Sequence, residues 1–305
     1  MKTIYLHIGT HKTGSTSIQR FLARADKALA ERGILYPEVG RPETDWSDQY
    51  GQHRLYWALV GKRGVESDQV WHDLMEEIDA FSGHSVVLSA EGFDGIGKGD
   101  IWRVLNHVSP HPVRVVVYLR SPLQYLKSAF NQRVKMGTYR RPFIRFVEER
   151  APDCNYRDLV GRWDRFDGIE AVDIRLFDKV KRTPGLEASF ADAIGIGFEE
   201  LQSFSGPPIN SSPSDKLTQI ARWINQFGSL GSEGRTLERV AGRARNNVLG
   251  RRWPGRWLVR ALRPFVRSSL ATDRAAARLQ DKIGDSHRRF LKTYIPPEDR
   301  AYLQL

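Results

Sequence analysis

Residues 3–17 have the sequence TIYLHIGTHKTGSTS, and this stretch decides the fold. Its first part, Thr3 to Ile8, is rich in β-branched and aromatic side chains, which predicts a buried strand. A glycine-bounded loop follows at 9–14. Apolar side chains at helical spacing then predict a helix that begins near Ser15 and ends at Gly33, a suitable C-terminal cap.

The same alternation of strands and helices continues along the chain. Further strands are predicted at Val86 to Ser89, Val113 to Leu119 and Val172 to Phe177. Helices are predicted at Trp71 to Phe81, from Pro122 after the N-cap residue Ser121, and at Leu186 to Ile194. Strands that alternate with helices, two of them near-continuous apolar runs, predict an α/β fold with a parallel sheet covered by helices on both faces.

Length and cysteine content bound the class of protein. The 305 residues are expected to form one domain, with an α/β core at 1–205 and a helical, arginine-rich portion at 206–305. Cys154 is the single cysteine, so no internal disulfide can form and a reducing compartment is expected. No run of about 18 apolar residues occurs, so no membrane span is predicted. We therefore expect a cytoplasmic protein.

The net charge of +11 is concentrated in one late segment. Arg235 to Arg267 contains ten arginines and one acid, a local charge of +9, and the remaining chain carries only +2. This argues against a general nucleic-acid-binding surface and favours one local anionic partner. Within it, Arg251 to Arg267 interleaves arginine with tryptophan, leucine and phenylalanine. Three interpretations stay open: contact with an anionic membrane surface, a groove for an acidic glycan, and a helix packed on the core.

The loop between the first strand and the first helix is the strongest functional signal. A loop in this position directs backbone N–H groups and the positive end of a helix dipole at one spot, which suits a bound phosphate or sulfate. The Lys12 ammonium and the hydroxyls of Ser15, Thr16 and Ser17 would meet the same anion. The glycines match the nucleotide-binding pattern G-x-x-x-x-G-K-[ST] in spacing, but Ser15 occupies the lysine position of that pattern.

Two segments together resemble the sulfotransferases that use 3′-phosphoadenosine 5′-phosphosulfate (PAPS). HKTGSTSIQ, residues 11–19, resembles the loop that binds the 5′-phosphosulfate in that family. YLRSP, residues 118–122, is followed by a serine and resembles the element that binds the 3′-phosphate, in which an arginine and a serine eight residues on hold the phosphate. Arg120 and Ser128 have this spacing. The resemblance extends to RLFD at 175–178 and covers roughly residues 1–215.

The resemblance implies a three-layer, P-loop-NTPase-like sheet, PAPS as the sulfuryl donor, adenosine 3′,5′-bisphosphate (PAP) as product, and no metal. The implied donor-binding residues are Lys12, Thr13, Gly14, Ser15, Thr16, Ser17, Arg120 and Ser128. Lys12 would also stabilise charge on the bridging oxygen as the sulfate leaves. The chain lacks the glycine-rich basic loop that closes over the nucleotide near the C-terminus of cytosolic members. It is therefore more similar to bacterial, carbohydrate-type members, and the expected acceptor is a hydroxyl on a glycan or glycolipid.

The base that takes the acceptor proton has two candidates. Glu91 follows a strand expected to neighbour the first strand, and ligands in open α/β sheets bind at the carboxyl ends of strands. His53 lies in a segment able to reach over the acceptor. His11 is interpreted as shaping the loop, and Asn210 and Ser211 are further candidates for the nucleotide site.

Two other functions remain alternatives. A P-loop-type small-molecule kinase would need magnesium and a γ-phosphate, and the displaced lysine speaks against it. A non-catalytic protein could keep the nucleotide pocket and bind anionic surfaces through its basic segment. The presence of Lys12 together with Arg120 and Ser128 favours the enzyme.

Overall fold

The computed structural model describes residues 1–42, 50–62, 64–65, 67–206, 215–227, 244, 246 and 272–305. The basic segment Arg251 to Arg267 and the candidate ligands Asn210 and Ser211 lie outside these residues.

Contacts within the chain divide it into two units. The first comprises the described residues of Met1–Arg120, Tyr156–Ile209 and Arg289–Leu303, and the second those of Ser121–Asn155, Asn210–Arg288 and Gln304–Leu305. The single domain expected over 1–305 stays a prediction.

The first unit is built on a five-stranded parallel sheet, which confirms the predicted α/β class. Its strands are β1 (Thr3–His7), β2 (Ile34–Leu35), β3 (Ser85–Ser89), β4 (Val113–Leu119) and β5 (Ile169–Leu176). All four strands predicted from the sequence are present. The two-residue β2 is an addition, because so short a strand leaves no periodic pattern.

The helices of the described chain follow the strands in the expected alternation. They are α1 (Ser15–Arg24), α2 (Asp26–Ala30), α3 (His53–Leu59), α4 (Ser67–Ala80), α5 (Lys98–His107), α6 (Pro122–Met136), α7 (Phe143–Arg150), α8 (Tyr156–Trp163), α9 (Phe177–Val180), α10 (Leu186–Ala193), α11 (Asp215–Phe227) and α12 (Thr272–Tyr294). Short 3₁₀ helices are formed by Phe93–Gly95, Ala151–Cys154, Phe198–Glu200, Gln202–Phe204 and Pro297–Leu303. None of the described helices combines the length and apolarity needed to cross a bilayer.

The helix predicted from Ser15 to Gly33 is interrupted, so that expectation was wrong in detail. Ala25 leaves the helical conformation (φ −92°, ψ 4°) between α1 and α2. Asp26 follows, and its carboxylate accepts a hydrogen bond from the Lys27 backbone N–H at 2.7 Å. Aspartate competes in this way with helical hydrogen bonding and favours the start of a new helix.

The order of strands in the sheet is β2-β3-β1-β4-β5, with β1 in the centre. From β1 the chain passes to β2 at one edge of the sheet, whereas from β4 it passes to β5 at the opposite edge. The carboxyl ends of β1 and β4 therefore flank a point where the connections diverge. Open α/β sheets form a ligand-binding crevice at such a switch point.

Both faces of the sheet are buried against helices. One face packs β1, β3 and β4 against α3, α4, α5 and α8 through a core that includes Leu6, Leu88, Val115 and Trp163. The opposite face packs β3 and β4 against α1, α2 and α10, with Phe21 and other apolar side chains fully buried. This packing holds the strand ends, and the loops that leave them, in fixed positions.

The second unit has its own apolar core. Leu126 and Phe130 of α6 pack with Phe146 of α7 and with Leu279 of α12. Ser121 is the N-cap residue of α6 and Pro122 lies in its first turn, as predicted. The Ser121 hydroxyl does not cap the helix, however, because it donates to the Gln304 carbonyl at 2.8 Å.

Candidate functional site

The loop between β1 and α1 has three residues in the left-handed backbone region. Gly9 has a φ of 54°, Lys12 of 68° and Gly14 of 85°. A Cβ on Gly9 would lie 3.0 Å from the Ala90 carbonyl oxygen, and one on Gly14 would overlap the Leu186 side chain. Left-handed conformations are unfavourable for a residue with a Cβ, so the position of Lys12 is strained. Strain of this kind concentrates at functional sites and supports a role for this loop.

Two buried threonines hold the loop in shape. The Thr10 hydroxyl donates to the Tyr118 carbonyl near the end of β4. The Thr13 hydroxyl donates to the Thr10 carbonyl at 2.6 Å. The side chain of Thr13 therefore maintains the loop, which leaves its backbone as the part suited to a ligand.

The hydroxyls at the start of α1 have different environments. The Ser15 side chain is 2% exposed, and its hydroxyl has no hydrogen-bond partner within the described chain. The Ser17 hydroxyl donates to Glu187 Oε1 at 3.2 Å, and Thr16 is partly buried. A buried polar atom without a partner is unusual in a folded protein. Ser15, at the N-terminus of a helix, is therefore the hydroxyl whose environment best fits a bound anion.

Arg120 follows β4 and reaches the loop that follows β1. Its Nη1 lies 3.5 Å from the Lys12 carbonyl oxygen, and its Nε lies 3.4 Å from Asp178 Oδ1. The guanidinium carbon lies 5.2 Å from the centre of the Phe177 ring, and the side chain is 19% exposed. The Tyr156 hydroxyl donates to the Arg120 carbonyl at 2.7 Å. Arg120 is thus fixed beside the loop, with Asp178 as its ion-pair partner.

Glu91 lies just beyond β3, which pairs with β1 as predicted. Its Oε2 is 3.3 Å from His11 Nδ1. Burial raises the pKa of Glu91, but the hydrogen bond with His11 and the nearby charges of His11, His53 and Lys12 outweigh burial and lower it. Glu91 is therefore ionised at neutral pH and adjoins the loop.

His53 is the first residue of α3 and is 8% exposed. Its ring stacks on Trp57 with 6.2 Å between ring centres. The preceding Gln52 ties this turn to the sheet, because its Oε1 accepts the Ser89 N–H at 2.9 Å and its Nε2 donates to the Pro37 carbonyl. The charge of His53 also lowers the pKa of Glu91, so both base candidates lie in one electrostatic neighbourhood.

A buried polar group that the sequence analysis did not single out lies next to the strand ends. His7 is completely buried, and its Nδ1 is 2.8 Å from the Ser89 hydroxyl. Gln19 donates to the same hydroxyl at 3.1 Å. Burial lowers the pKa of His7 to about 4, against an opposing effect of the Glu91 charge. The imidazole is therefore neutral, and its Nε2 has no partner within the described chain.

Asp94 was also missed. It follows β3 by five residues, and its backbone N–H donates to the Ile8 carbonyl at 3.1 Å. Burial is the main reason that the pKa of Asp94 is raised to about 6, and the charge of Glu91 adds to this effect. The nearby His11 and the charge of Arg162 act in the opposite direction. Clusters of interacting groups with shifted pKa values are typical of functional sites.

One predicted donor-binding residue, Ser128, belongs to the second unit. It lies on α6 and is partly buried. The predicted use of Ser128 with Arg120 at one phosphate stays a prediction. The structure brings together Lys12, His11, Glu91 and Arg120 within the first unit.

The geometry therefore consists of a strained, helix-capping loop, an arginine that contacts it from the neighbouring strand, and an ionised glutamate at its side. Comparison with models of protein families, with curated proteins and with solved structures finds no match to this chain.

Proposed function

We propose that the chain is a sulfotransferase that moves a sulfuryl group from PAPS to an acceptor hydroxyl on a carbohydrate or glycolipid. The contact between Arg120 and the Lys12 carbonyl is the main support. The two segments that resemble PAPS-binding elements are 108 residues apart in sequence, yet they meet at the switch point of the sheet. A nucleotide with a phosphosulfate at one end and a 3′-phosphate at the other requires both elements in one place.

The donor side of the proposed site uses the loop at 9–14 and the start of α1. Backbone N–H groups, the Lys12 ammonium and the Ser15 hydroxyl would hold the 5′-phosphosulfate. Arg120 would bind the 3′-phosphate through its planar fork, and Asp178 would hold the guanidinium in place. The sheet with helices on both faces agrees with the P-loop-NTPase-like fold that we propose.

The proposed reaction is an in-line transfer. The acceptor oxygen attacks sulfur and forms a new S–O bond, while the bond between sulfur and the bridging oxygen breaks. The electron pair of that bond stays on the 5′-phosphate of PAP, where Lys12 would stabilise the growing charge. The acceptor proton passes to a base on the protein. Of the two predicted candidates, Glu91 is favoured over His53, because Glu91 is ionised and directly contacts the loop residue next to Lys12.

The single cysteine and the basic segment support a proposed location and partner. The protein would act in the cytoplasm, and its basic segment at 251–267 would contact the inner membrane face where a glycolipid acceptor is presented. No nucleic-acid partner is proposed, since the charge outside the basic segment is nearly balanced.

Turnover of PAPS tests the proposal, with Lys12→Met as the variant and Lys98→Met, an exposed lysine on α5, as the matched control. We expect wild-type protein and Lys98→Met to release PAP in the presence of neutral monosaccharides and methyl glycosides. Loss of charge stabilisation in Lys12→Met should lower kcat by about 10²–10³-fold. An unchanged kcat in Lys12→Met, or no release of PAP by the wild type, would contradict the proposed function.

A further inference from the structure

His11, Glu91 and Asp94 form a small cluster beside the loop, and they come from two separate chain segments. The imidazole Nδ1 of His11 is 3.3 Å from Glu91 Oε2. Asp94 lies close enough for its charge to raise the pKa of His11, and its backbone N–H donates to the Ile8 carbonyl at 3.1 Å. The loop residue next to Lys12 therefore contacts Glu91 directly and lies within the electrostatic influence of Asp94.

The exposure of the pair allows contact with a substrate. The His11 side chain is 53% exposed and that of Glu91 is 34% exposed. When the imidazole is neutral and Nδ1–H donates to the carboxylate, the lone pair of the ring lies on Nε2. A half-exposed imidazole with this tautomer can accept a proton from a bound hydroxyl.

We propose that His11 Nε2 takes the acceptor proton and that Glu91 is a positioning residue that orients the imidazole through Nδ1. This inference rests on the proposed sulfotransferase function and changes one part of it, since Glu91 alone was the favoured base. A base held by a third group is the usual arrangement in which an imidazole acts on a hydroxyl.

The step is balanced as follows. As the acceptor oxygen forms its bond to sulfur, its O–H bond breaks and the proton moves to His11 Nε2. The resulting imidazolium is stabilised by the Glu91 carboxylate. The bridging-oxygen bond breaks toward PAP, and His11 later loses the proton to solvent.

The surrounding charges set the pH dependence. Glu91 and Asp94 favour the protonated imidazole and Lys12 disfavours it, and the charge of His53 lowers the pKa of Glu91. The hydrogen bond to Glu91 outweighs burial and raises the pKa of His11 above 6.5. Because the base must be neutral, kcat/KM should increase with pH and level off above the pKa of His11.

The test uses chemical rescue. His11→Ala is assayed for PAP release from PAPS with neutral monosaccharides and methyl glycosides as acceptors, with and without added imidazole. We expect the kcat of His11→Ala to be about 10²–10⁴-fold below that of the wild type. Added imidazole should raise the kcat of the variant at least about tenfold. Binding of PAP should change by less than about threefold, since His11 is not a donor ligand. His72→Ala is the matched control, because His72 forms an exposed pair with Glu76 at 3.4 Å.

The Glu91→Gln variant separates the two members of the pair. If His11 is the base, its imidazole pKa, measured by NMR titration, falls in Glu91→Gln and the acidic limb of kcat/KM moves to lower pH. If Glu91→Gln abolishes turnover while His11→Ala keeps activity within about threefold, Glu91 is itself the base and the proposal is wrong. Failure of imidazole to rescue His11→Ala would also overturn it. Failure of the wild type to bind PAP would instead overturn the sulfotransferase function, and the base assignment with it.

Discussion

Acid should weaken the first unit through one buried group, His7. In the folded protein burial lowers the pKa of His7 to about 4, whereas the unfolded chain has the ordinary value of 6.5. Between these values the unfolded state binds more protons, so the free energy of unfolding falls as the pH falls. The contribution of the neutral imidazole is complete above pH 6.5 and is lost progressively toward pH 4. From pH 7.5 to pH 5 the expected loss is about 2 kcal/mol.

The perturbation that isolates this group is His7→Asn, measured by urea unfolding at both pH values with tryptophan fluorescence. Asparagine can still hydrogen-bond the Ser89 hydroxyl, and it does not ionise. The variant loses the ring contacts with Tyr118 and Phe190 at every pH, so only the pH dependence is diagnostic. Asp94 titrates in both proteins, and its effect cancels in the comparison. His72→Asn, an exposed histidine on α4, is the control.

We expect the stability advantage of the wild type over His7→Asn to shrink by about 2 kcal/mol between pH 7.5 and pH 5. The His72→Asn control should keep the wild-type pH dependence. An advantage that stays constant over this range would show that His7 is protonated in the folded protein or reaches solvent, and would refute the reasoning.

Three further predictions concern single residues. Asp94→Asn should raise the free energy of unfolding by about 3 kcal/mol at pH 7.5 and by little at pH 4. The reason is that the raised pKa of Asp94 destabilises the folded protein as the pH rises from 3.8 to about 6; an equal effect at both pH values in urea unfolding would contradict this. Gly14→Ala should lower the thermal midpoint, with about 1–2 kcal/mol of loss, because of the positive φ and the overlap with Leu186; an unchanged midpoint would contradict the described loop. Cys154 should resist thiol reagents in the native protein, since burial raises the pKa of its thiol well above the usual range; fast stoichiometric labelling without urea would show that it is exposed.

The parts of the fold that the sequence predicted are those with local causes. The runs TIYLHI and VRVVVYL are apolar enough to predict buried strands, and both form at the positions expected, with the first ending one residue early. The glycines that bound the predicted loop, Gly9 and Gly14, both adopt the left-handed conformation that glycine tolerates. The break at Ala25 was not predicted, because alanine favours helix and the competing carboxylate of Asp26 acts only through geometry.

The site was predicted in its components but not in its connections. The pairing of Arg120 with Asp178 and its contact with Lys12 depend on the order of strands, which no local pattern contains. The His11–Glu91 pair spans 80 residues and has the same origin. His7 was hidden in an apolar strand, where the alternation of side chains predicts burial but not the neutral state that burial enforces.

Arg120 provides the most direct test of the PAPS site. The measurement is calorimetric titration of the protein with PAP, AMP and ATP, first without magnesium and then with it. The Arg120→Ala variant is compared with a control, Arg114→Ala, in which an exposed arginine of β4 is changed. We predict micromolar binding of PAP by the wild type and by Arg114→Ala. The wild type should bind AMP about 10–100-fold more weakly than PAP, and Arg120→Ala should bind PAP more weakly than the wild type by the same factor. Each change removes one charged hydrogen-bonding group. Equal affinity for PAP and AMP, or binding of ATP that requires magnesium and exceeds that of PAP, would contradict the account.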